Sequence, residues 1–530
     1  ITKEFFDGDF KVNDPNLKRD LNGSFDVRGG VDFFNVRAKL DTAFLSKLNF
    51  TEEPVFISSD LNVNAQGLKV DNILGMANFK NTTVRRGGQE LIIDSLGIIS
   101  DRDEAVRNVF ISTNLFNAKI DGRFNFSTVY KEINKLLFEY QLNLENDKVA
   151  LETYYNSKHE RPPDYQVNYV LNINDFEPIA KVFSPELYIS PSTKVAGDLI
   201  GGYTSILNIS TLIDSINYKN DHFLGNEMQL SISKISDSTS VLASLYATSE
   251  NENISGIETK DLFLEAIWNN KHIDFELDID QVAYPNYLRL LGEIDFLDNK
   301  TEIQFSPSDV HILDDKWSLR ADNLISISGK EIKINDLSLY HENQNIKLEG
   351  ELSENKEKKL LLTLDSIDIG SINTILSKDL DGIVNGSTSM QDYYHDMRVT
   401  SDLTIYRFSV NEFLVGDITC KNTWNNQNKN FDVNFAIHRL DQKVLDLEGT
   451  YAPGNEGLNL TAKLNQTELK ILEPFLDSYF TEIFGTATGE LSITGPLKAP
   501  ILMGGGKIED AGLHVNYLNT DYTLNGSFYL

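Results

Sequence analysis

The chain has 530 residues, of which 41% are hydrophobic and 24% are charged, a balance that supports a large folded core and excludes disorder as its main state. Its formal net charge of −31 argues against nucleic acid as a partner, because two polyanions repel each other. Cys420 is the single cysteine, so the chain cannot form an internal disulfide bond.

No segment of the chain has the character of a membrane span or a secretion signal. No stretch reaches the ~18 consecutive apolar residues that a membrane-spanning helix needs, and no basic start precedes an apolar run. The sequence begins at Ile1 without a methionine and stops at Leu530 in what resembles the start of a strand. We therefore expect a middle piece of a longer protein, whose membrane anchor would lie outside these residues.

A five-residue repeat connects the two ends of the chain. Residues 21–25 read Leu-Asn-Gly-Ser-Phe and recur unchanged at 524–528, with the related Val-Asn-Gly-Ser at 384–387. Most of the remaining sequence alternates between short strand-like segments and polar turns. Such self-similarity predicts a repeating β architecture in which one turn-and-strand unit is reused, and it argues against a hidden catalytic centre.

Period-two alternation is the main secondary-structure signal. Two runs with apolar side chains at every second position show it most clearly: Ile273, Phe275, Leu277 and Ile279, then Phe431, Val433, Phe435 and Ile437. Strands with one apolar and one wet face are typical of antiparallel sheet. We predict a mainly β fold, a long curled antiparallel or mixed sheet with a few short amphipathic helices.

A few segments have the apolar spacing of an amphipathic helix instead. They are residues 129–140, 176–183, 211–218, 371–377 and 469–483. Pro474 interrupts the last of them, so we expect a late start or a kink there. Three of these helices precede a small-residue break and further strands, which predicts a degenerate repeat of roughly one hundred residues. On that basis residues 1–165, 166–365 and 366–530 are three stretches of one elongated unit.

The sequence shows no motif of enzyme chemistry. Its eight histidines are scattered, and one cysteine cannot build a usual zinc site. His395 beside Tyr393, Tyr394 and Asp396 is the densest cluster, and a turn rich in polar aromatics explains it. Residues 504–507 read Gly-Gly-Gly-Lys but lack the Ser or Thr of a phosphate loop, so the glycines favour a bulge or bend. We expect no catalytic residue, no metal and no cofactor.

One run near the end of the chain has a family pattern. Residues 485–500 read Gly-Thr-Ala-Thr-Gly-Glu-Leu-Ser-Ile-Thr-Gly-Pro-Leu-Lys-Ala-Pro and follow the last predicted helix. The run resembles the repeat of the AsmA-like superfamily, and within it the TamB-like subunits of the translocation and assembly module. The positions that match the family pattern are Gly485, Gly489, Gly495, Pro496 and Pro500. The abundance of Asn, Lys, Ile and Tyr resembles Bacteroidota-type members.

The resemblance implies a sheet curled lengthwise into a trough, a β-taco, with an apolar inner surface. It also implies a periplasmic protein anchored in the inner membrane, which moves phospholipid to the outer membrane and assists outer-membrane biogenesis with a TamA-type barrel partner. Seven residues are then candidates to line the lipid groove: Phe275, Leu277, Ile279, Phe431, Val433, Phe435 and Ile437. Strand patterning alone leaves open a closed sandwich without ligand, and the rival class of protein is a β-repeat scaffold or adhesin.

Overall fold

The computed structural model describes residues 5–28, 32–67, 69–157, 163–312, 315–372, 379–455, 457–476, 479–497 and 499–529. The chain divides into two compact units. Unit 1 contains Ile1–Ala283 and Asp295–Asn299, and unit 2 contains Tyr284–Ile294 and Lys300–Leu530. The division of the sequence into three stretches stays a prediction.

Unit 1 is an antiparallel meander with helices inserted between its strands. Its strands are β1 (Phe5–Asn13), β2 (Leu17–Asp26), β3 (Phe33–Phe44), β4 (Val55–Gln66), β5 (Leu74–Arg86), β6 (Gln89–Asp103), β7 (Val106–Thr113), β8 (Phe116–Arg123), β9 (Tyr165–Ile173), β10 (Leu187–Ile189), β11 (Thr193–Gly201), β12 (Thr204–Tyr218), β13 (Asp221–Ile235), β14 (Val241–Ile254), β15 (Ile257–Asn269) and β16 (His272–Gln281). Helices α1 (Phe126–Glu145) and α2 (Lys148–Ser157) separate β8 from β9, and α3 (Glu177–Phe183) separates β9 from β10. Strand β9 nevertheless pairs with both β8 and β11.

Unit 2 follows the same plan with fewer helical residues. Strand β17 (Tyr287–Leu297) begins in it, and its other strands are β18 (Lys300–Phe305), β19 (Asp309–Ile312), β20 (Asp315–Leu319), β21 (Leu324–Ser328), β22 (Glu331–His341), β23 (Gln344–Leu352), β24 (Lys359–Asp368), β25 (Leu380–Gln391), β26 (Arg398–Val410), β27 (Phe413–Asn425), β28 (Asn430–Arg439), β29 (Gln442–Ala452), β30 (Gly457–Glu468), β31 (Phe480–Pro496), β32 (Ile501–Val515) and β33 (Thr520–Tyr529). The helical pieces are short: 3-10 turns at Ile369–Ile372, Pro453–Asn455 and Leu469–Leu472, and α4 (Glu473–Leu476). The predicted fold class, mainly β with antiparallel pairing and few helices, is confirmed.

Strand register gathers rows of apolar side chains on one face of the sheet in each unit. In unit 1, Leu277 of β16 lies opposite Leu264 of β15. In unit 2, Phe435 of β28 lies opposite Cys420 of β27 and Leu447 of β29. Residues directly opposite each other in an antiparallel ladder point to the same side, so these pairs build continuous rows. We call this surface the apolar face of each unit.

Two helix predictions are confirmed and one is wrong. Residues 129–140 and 176–183 lie in or largely within α1 and α3. Residues 211–218 instead belong to strand β12, where they pair with β11 and β10 on one side and with β13 on the other. Their β-branched side chains fit both the helical and the strand periodicity locally. Pairing with strands on both sides stabilises the strand conformation. Helix α2 was not predicted.

The last predicted helix is mostly wrong. From residue 469 the chain makes a 3-10 turn and one turn of α-helix, which ends at Leu476, and β31 begins at Phe480. Ile483, the last member of the predicted helical stripe, is a buried strand residue. Pro474 lies in the first turn of α4, where proline is tolerated, so the late start expected from the sequence is observed. From Phe480 onward the chain pairs with β32 as a strand. Of the predicted helix at 371–377, residues 373–377 lie outside the described part of the chain.

The repeated Leu-Asn-Gly-Ser-Phe segment lies inside a strand, and the prediction that it contains a turn is wrong. Its copies fall in β2 and β33, and the related segment falls in β25. At Gly386 the backbone has φ +141°, and an added Cβ would lie 2.2 Å from the carbonyl oxygen of Asp402 on the next strand. The glycine is therefore required by close approach of two strands and by a backbone conformation that other residues rarely adopt.

Gly386→Ala should lower the free energy of unfolding by roughly 1–3 kcal/mol, because a Cβ there forces both strain and displacement of the neighbouring strand. Chemical denaturation followed by circular dichroism measures the change. Gly454→Ala is the matched control, since no atom lies within 4 Å of a Cβ placed at Gly454. Equal stability of the two variants would contradict the close-approach explanation.

Candidate functional site

The apolar face of unit 2 contains a concave site of about 470 Å³. It is lined by side chains of β26 to β29, namely Ser401, Cys420, Asn422, Phe431, Val433, Phe435, Leu447 and Tyr451. The volume falls within the range of small-molecule sites, about 300–1,000 Å³. Three of the predicted groove residues therefore meet in one concavity, together with five residues that the sequence did not single out.

Burial along β28 changes from one end to the other. Phe431, Val433 and Phe435 are only half-buried, although they are large apolar side chains on the apolar face. Ile437 at the far end is 5% exposed and belongs to a packed cluster with Val415 and other residues. The middle of a closed sandwich would be buried throughout, so an open concavity with one packed end is a different arrangement.

Polar side chains interrupt the apolar face beside the concavity. The hydroxyls of Thr388 and Ser401, on neighbouring strands, are 3.0 Å apart and hydrogen-bonded. Asn422 donates from Nδ2 to the Sγ of Cys420 at 3.2 Å. Trp424 packs on Phe431 with ring centroids 4.9 Å apart. These residues break strict alternation, which is why pattern reading on the sequence missed them.

The other three predicted groove residues lie on the apolar face of unit 1. Phe275, Leu277 and Ile279 are half-buried on β16, while Asp274 between the strand's apolar positions is exposed. Trp268, which the sequence did not mark, lies on the same face of β15 and is 8% exposed. The strand pairing aligns Leu277 with Leu264 and Phe275 with Ala266 on this face, and the role of the predicted residues in lipid binding stays a prediction.

Helix α1 covers a different part of that face. Its Phe126, Val129 and Ile133 pack against a buried cluster that includes Val109, Val167 and Leu199 of β7, β9 and β11. A helix of 20 residues is about 30 Å long, close to the width of six neighbouring strands. Its start packs on β7, β9 and β11, and Tyr140 further along reaches carbonyl oxygens of β13 and β14. Helix α1 therefore runs across several strands and buries apolar side chains on them.

The start of α1 is fixed by a polar contact from a distant turn. Asp71 accepts hydrogen bonds from the backbone N–H of Ser127, at 2.9 Å, and from its hydroxyl. These bonds hold the pKa of Asp71 below its usual value. Beneath them Arg107 is fully buried, donates to the carbonyl of Asp71 and lies 5.1 Å from the ring of Phe126. Asp71 thus acts as the N-terminal cap of α1.

Further along, α1 and α2 are held by a buried polar cluster that we call the latch: Glu139, Tyr154, Tyr155 and Lys234. The carboxylate of Glu139 lies 3.7 Å from Nζ of Lys234 on β13, and both side chains are 3% exposed or less. The hydroxyls of Tyr154 and Tyr155 donate to the same carboxylate at 2.8 and 3.3 Å. Burial, followed by the effects of Glu139, raises the pKa of both tyrosines.

Tyr140 adds a second contact beside the latch. Its hydroxyl lies 2.7 Å from the carbonyl oxygen of Leu242 and 3.0 Å from that of Ser233, at the ends of two paired strands. Its ring meets Trp268 edge to face, with centroids 5.5 Å apart. Burial raises the pKa of Tyr140 to about 12, so it stays a neutral donor at ordinary pH.

The residues of the family pattern lie along one hairpin, formed by β31 and β32. Gly485, Gly489, Gly495 and Pro496 belong to β31, and Pro500 directly precedes β32. Residues 504–506 pair with β31 without a shift in register, so the predicted bulge is wrong there. An added Cβ at Gly489 would lie 2.7 Å from the Cα of Gly506. These glycines allow two backbones to approach closely.

The histidine cluster is a turn. Nδ1 of His395 lies 2.9 Å from Oδ1 of Asp392, and the hydroxyl of Tyr394 donates to the carbonyl of Lys330 at 2.7 Å. These bonds secure a loop between β25 and β26. The polar side chains of the cluster thus take part in the hydrogen bonding of this loop.

Comparison with known proteins leaves the family open. Neither a protein-family model nor a curated protein matches the chain. Within the part of the chain that the structure describes, no helix combines the length and the apolar character needed to cross a membrane. The resemblance to the AsmA-like superfamily therefore stays a prediction.

Asp71→Ala should destabilise unit 1 by about 1 kcal/mol, because the N–H of Ser127 loses its acceptor. Trp268 is the only tryptophan of unit 1, so its fluorescence in a Trp317→Phe, Trp424→Phe background follows this unit during denaturation. Asp103→Ala, at an exposed strand end, is the control. An equal effect of both changes would exclude a capping role.

The same contact predicts a dependence on pH. Because the pKa of Asp71 is lower in the folded chain, its contribution is present above the unfolded value of about 3.9 and is lost as the pH falls through the folded pKa. The stability difference between the wild type and Asp71→Ala should therefore be constant from pH 7 to pH 5 and shrink below pH 4. Denaturation at each pH measures it, and a difference that persists unchanged at pH 2.5 would contradict it.

Proposed function

We propose that the chain is the groove-forming part of a periplasmic bridge that carries phospholipids between the inner and outer membranes. In this proposal an inner-membrane anchor lies outside these residues, and a TamA-type barrel in the outer membrane is the partner with which the protein supports outer-membrane biogenesis. The observation that carries the proposal is the open concavity on the apolar face of unit 2, with Phe431, Val433 and Phe435 half-buried around it.

An uncovered apolar face of this kind has a cost in water. Each Å² of apolar surface removed from water contributes about 25 cal/mol, so an acyl chain laid over Phe435, Leu447 and Tyr451 is stabilised by their contact. Contiguous exposed apolar surface in soluble proteins commonly marks a binding site. An acyl chain matches it better than a polar ligand, because five of the eight lining residues are apolar or aromatic.

The opposite face of the strands suits an aqueous compartment. On β16 the residues between the apolar positions are all acidic: Asp274, Glu276, Asp278 and Asp280. With a formal charge of −31, the chain as a whole repels its own copies and resists association through strand edges. These features support a sheet protein that keeps its apolar face for a ligand and its polar face for water.

A photo-crosslinking amino acid at Phe435 should capture phospholipid in cells, because the side chain lines the concavity. The matched control is the same amino acid at Asn434, which is exposed on the opposite face of the same strand. Lipid is identified by mass spectrometry of the adduct. Absence of adduct at Phe435, or equal adduct at both positions, would favour a scaffold without lipid ligand.

Leu277→Asp should impair lipid transfer while the protein still accumulates, because a carboxylate on a half-buried groove position repels acyl chains without opening a packed core. Transfer of a fluorescent phospholipid between vesicles measures the effect. Glu276→Asp, one residue away on the other face, is the control and should transfer at the wild-type rate. A chain that fails to fold after Leu277→Asp would instead indicate a closed core.

A further inference from the structure

We propose that helices α1 and α2 form a displaceable lid over the apolar face of unit 1, which the latch of Glu139, Lys234, Tyr154 and Tyr155 holds shut. An acyl chain that enters unit 1 would take the place of α1 on this face. Replacement of α1 by an acyl chain rests on the proposed function. The existence of a displaceable lid concerns the protein alone and does not need a lipid.

The lid can leave without disturbing the sheet. It is inserted between β8 and β9, which pair directly with each other from Phe116 opposite Ile173 to Arg123 opposite Gln166. Both ends of the inserted segment therefore start from neighbouring strands. Outward movement of α1 and α2 breaks no strand pairing, in contrast to movement of any strand of the meander.

The inner side of the lid imitates what a lipid would supply. Phe126, Val129 and Ile133 fill the apolar face above Val167 and Leu199. The start of this half is fixed by the cap at Ser127 and by Arg107, which lies 5.1 Å from the ring of Phe126. An acyl chain offers the same apolar cover, so the two can exchange at little cost in buried apolar area.

The latch has the chemistry of a switch. Replacing a buried ion pair by apolar side chains of similar volume is often neutral or stabilising, so a permanent cap has no need of Glu139 and Lys234. Removing one partner, in contrast, leaves a buried unpaired charge and destabilises the closed position strongly. Lys234 also donates to the carbonyl oxygens of Ile235 and Ser238, which keeps it placed on the sheet when Glu139 leaves.

The outer side of the lid carries an apolar stripe among polar residues. Tyr130, Leu137 and Leu144 follow one another at seven-residue spacing on α1 and are 75%, 57% and 55% exposed. Helix α2 has no buried residue. A helix with an apolar stripe on each side can lie against the sheet in the closed state and against acyl chains in the open state.

Thiol labelling tests the lid. In a Cys420→Ser background, Val167→Cys places a thiol beneath α1, and Val415→Cys places one in the core of unit 2; both valines are 5% exposed. Glu139→Gln should raise the labelling rate at position 167 at least tenfold and leave position 415 unchanged. Lys234→Met should do the same, and the double variant should label more slowly than Lys234→Met alone, because it no longer strands a charge.

Equal labelling rates at position 167 in the wild type and in all latch variants would contradict the proposal of a displaceable lid. Parallel increases at positions 167 and 415 would do so too, since they report global unfolding. If Glu139→Gln does not fold, Tyr155→Phe removes one 3.3 Å hydrogen bond and should give a smaller increase at position 167 only.

Spin labels test displacement by lipid. Leu144 on α1 and Leu212 on β12 are both exposed, so labels there leave the packing intact. Vesicles of phosphatidylethanolamine and phosphatidylglycerol should add a longer distance to the one seen without lipid. An unchanged distance distribution between the two spin labels would exclude exchange of α1 with acyl chains. The thiol-labelling rate at position 167 would still test whether the lid opens. Failure of lipid crosslinking at Phe435 would contradict the proposed function, and it would not affect the conclusion drawn from thiol labelling of the latch variants.

Discussion

The structure depends on one constraint: in antiparallel sheet every second side chain points to the same side, and opposite residues share that side. In this chain the rule aligns apolar residues of successive strands, such as Leu264 with Leu277 and Cys420 with Phe435. A shift of one residue would turn a whole strand inside out. The same rule creates an apolar face that something must cover, and the two units cover it differently.

In unit 1 the cover is partly built in. Helix α1 buries the face over β7, β9 and β11, and its attachment is polar at the cap and at the latch. In unit 2 the concavity around Phe435 stays open, with packed residues only toward Ile437. A buried carboxylate beside two tyrosines costs desolvation free energy, which apolar packing would avoid. A polar contact of this kind suits a helix that has to leave the sheet and return to it, as proposed for α1.

Much of the architecture follows from local pattern. Alternation in residues 273–279 and 431–437 predicts strands β16 and β28 and assigns their faces correctly. The helical spacing of residues 129–140 finds α1. The same reasoning fails at residues 211–218 and beyond Leu476, because short β-branched segments satisfy both periods and neighbouring strands decide between them. Gly386, expected in a small-residue break after a helix, lies inside a strand where two backbones approach closely.

The sequence by itself determined the mainly β class, the acidic exterior and the identity of the apolar rows, because these depend on residues one to four positions apart. Only the tertiary structure decided where the apolar face is open and where it is closed. Glu139 and Lys234 are 95 positions apart in the sequence, and no local pattern relates them. Cys420 and Leu447 join Phe435 through pairing of separate strands. Long-range pairing brings these groups together, and the sequence carries no short-range record of it.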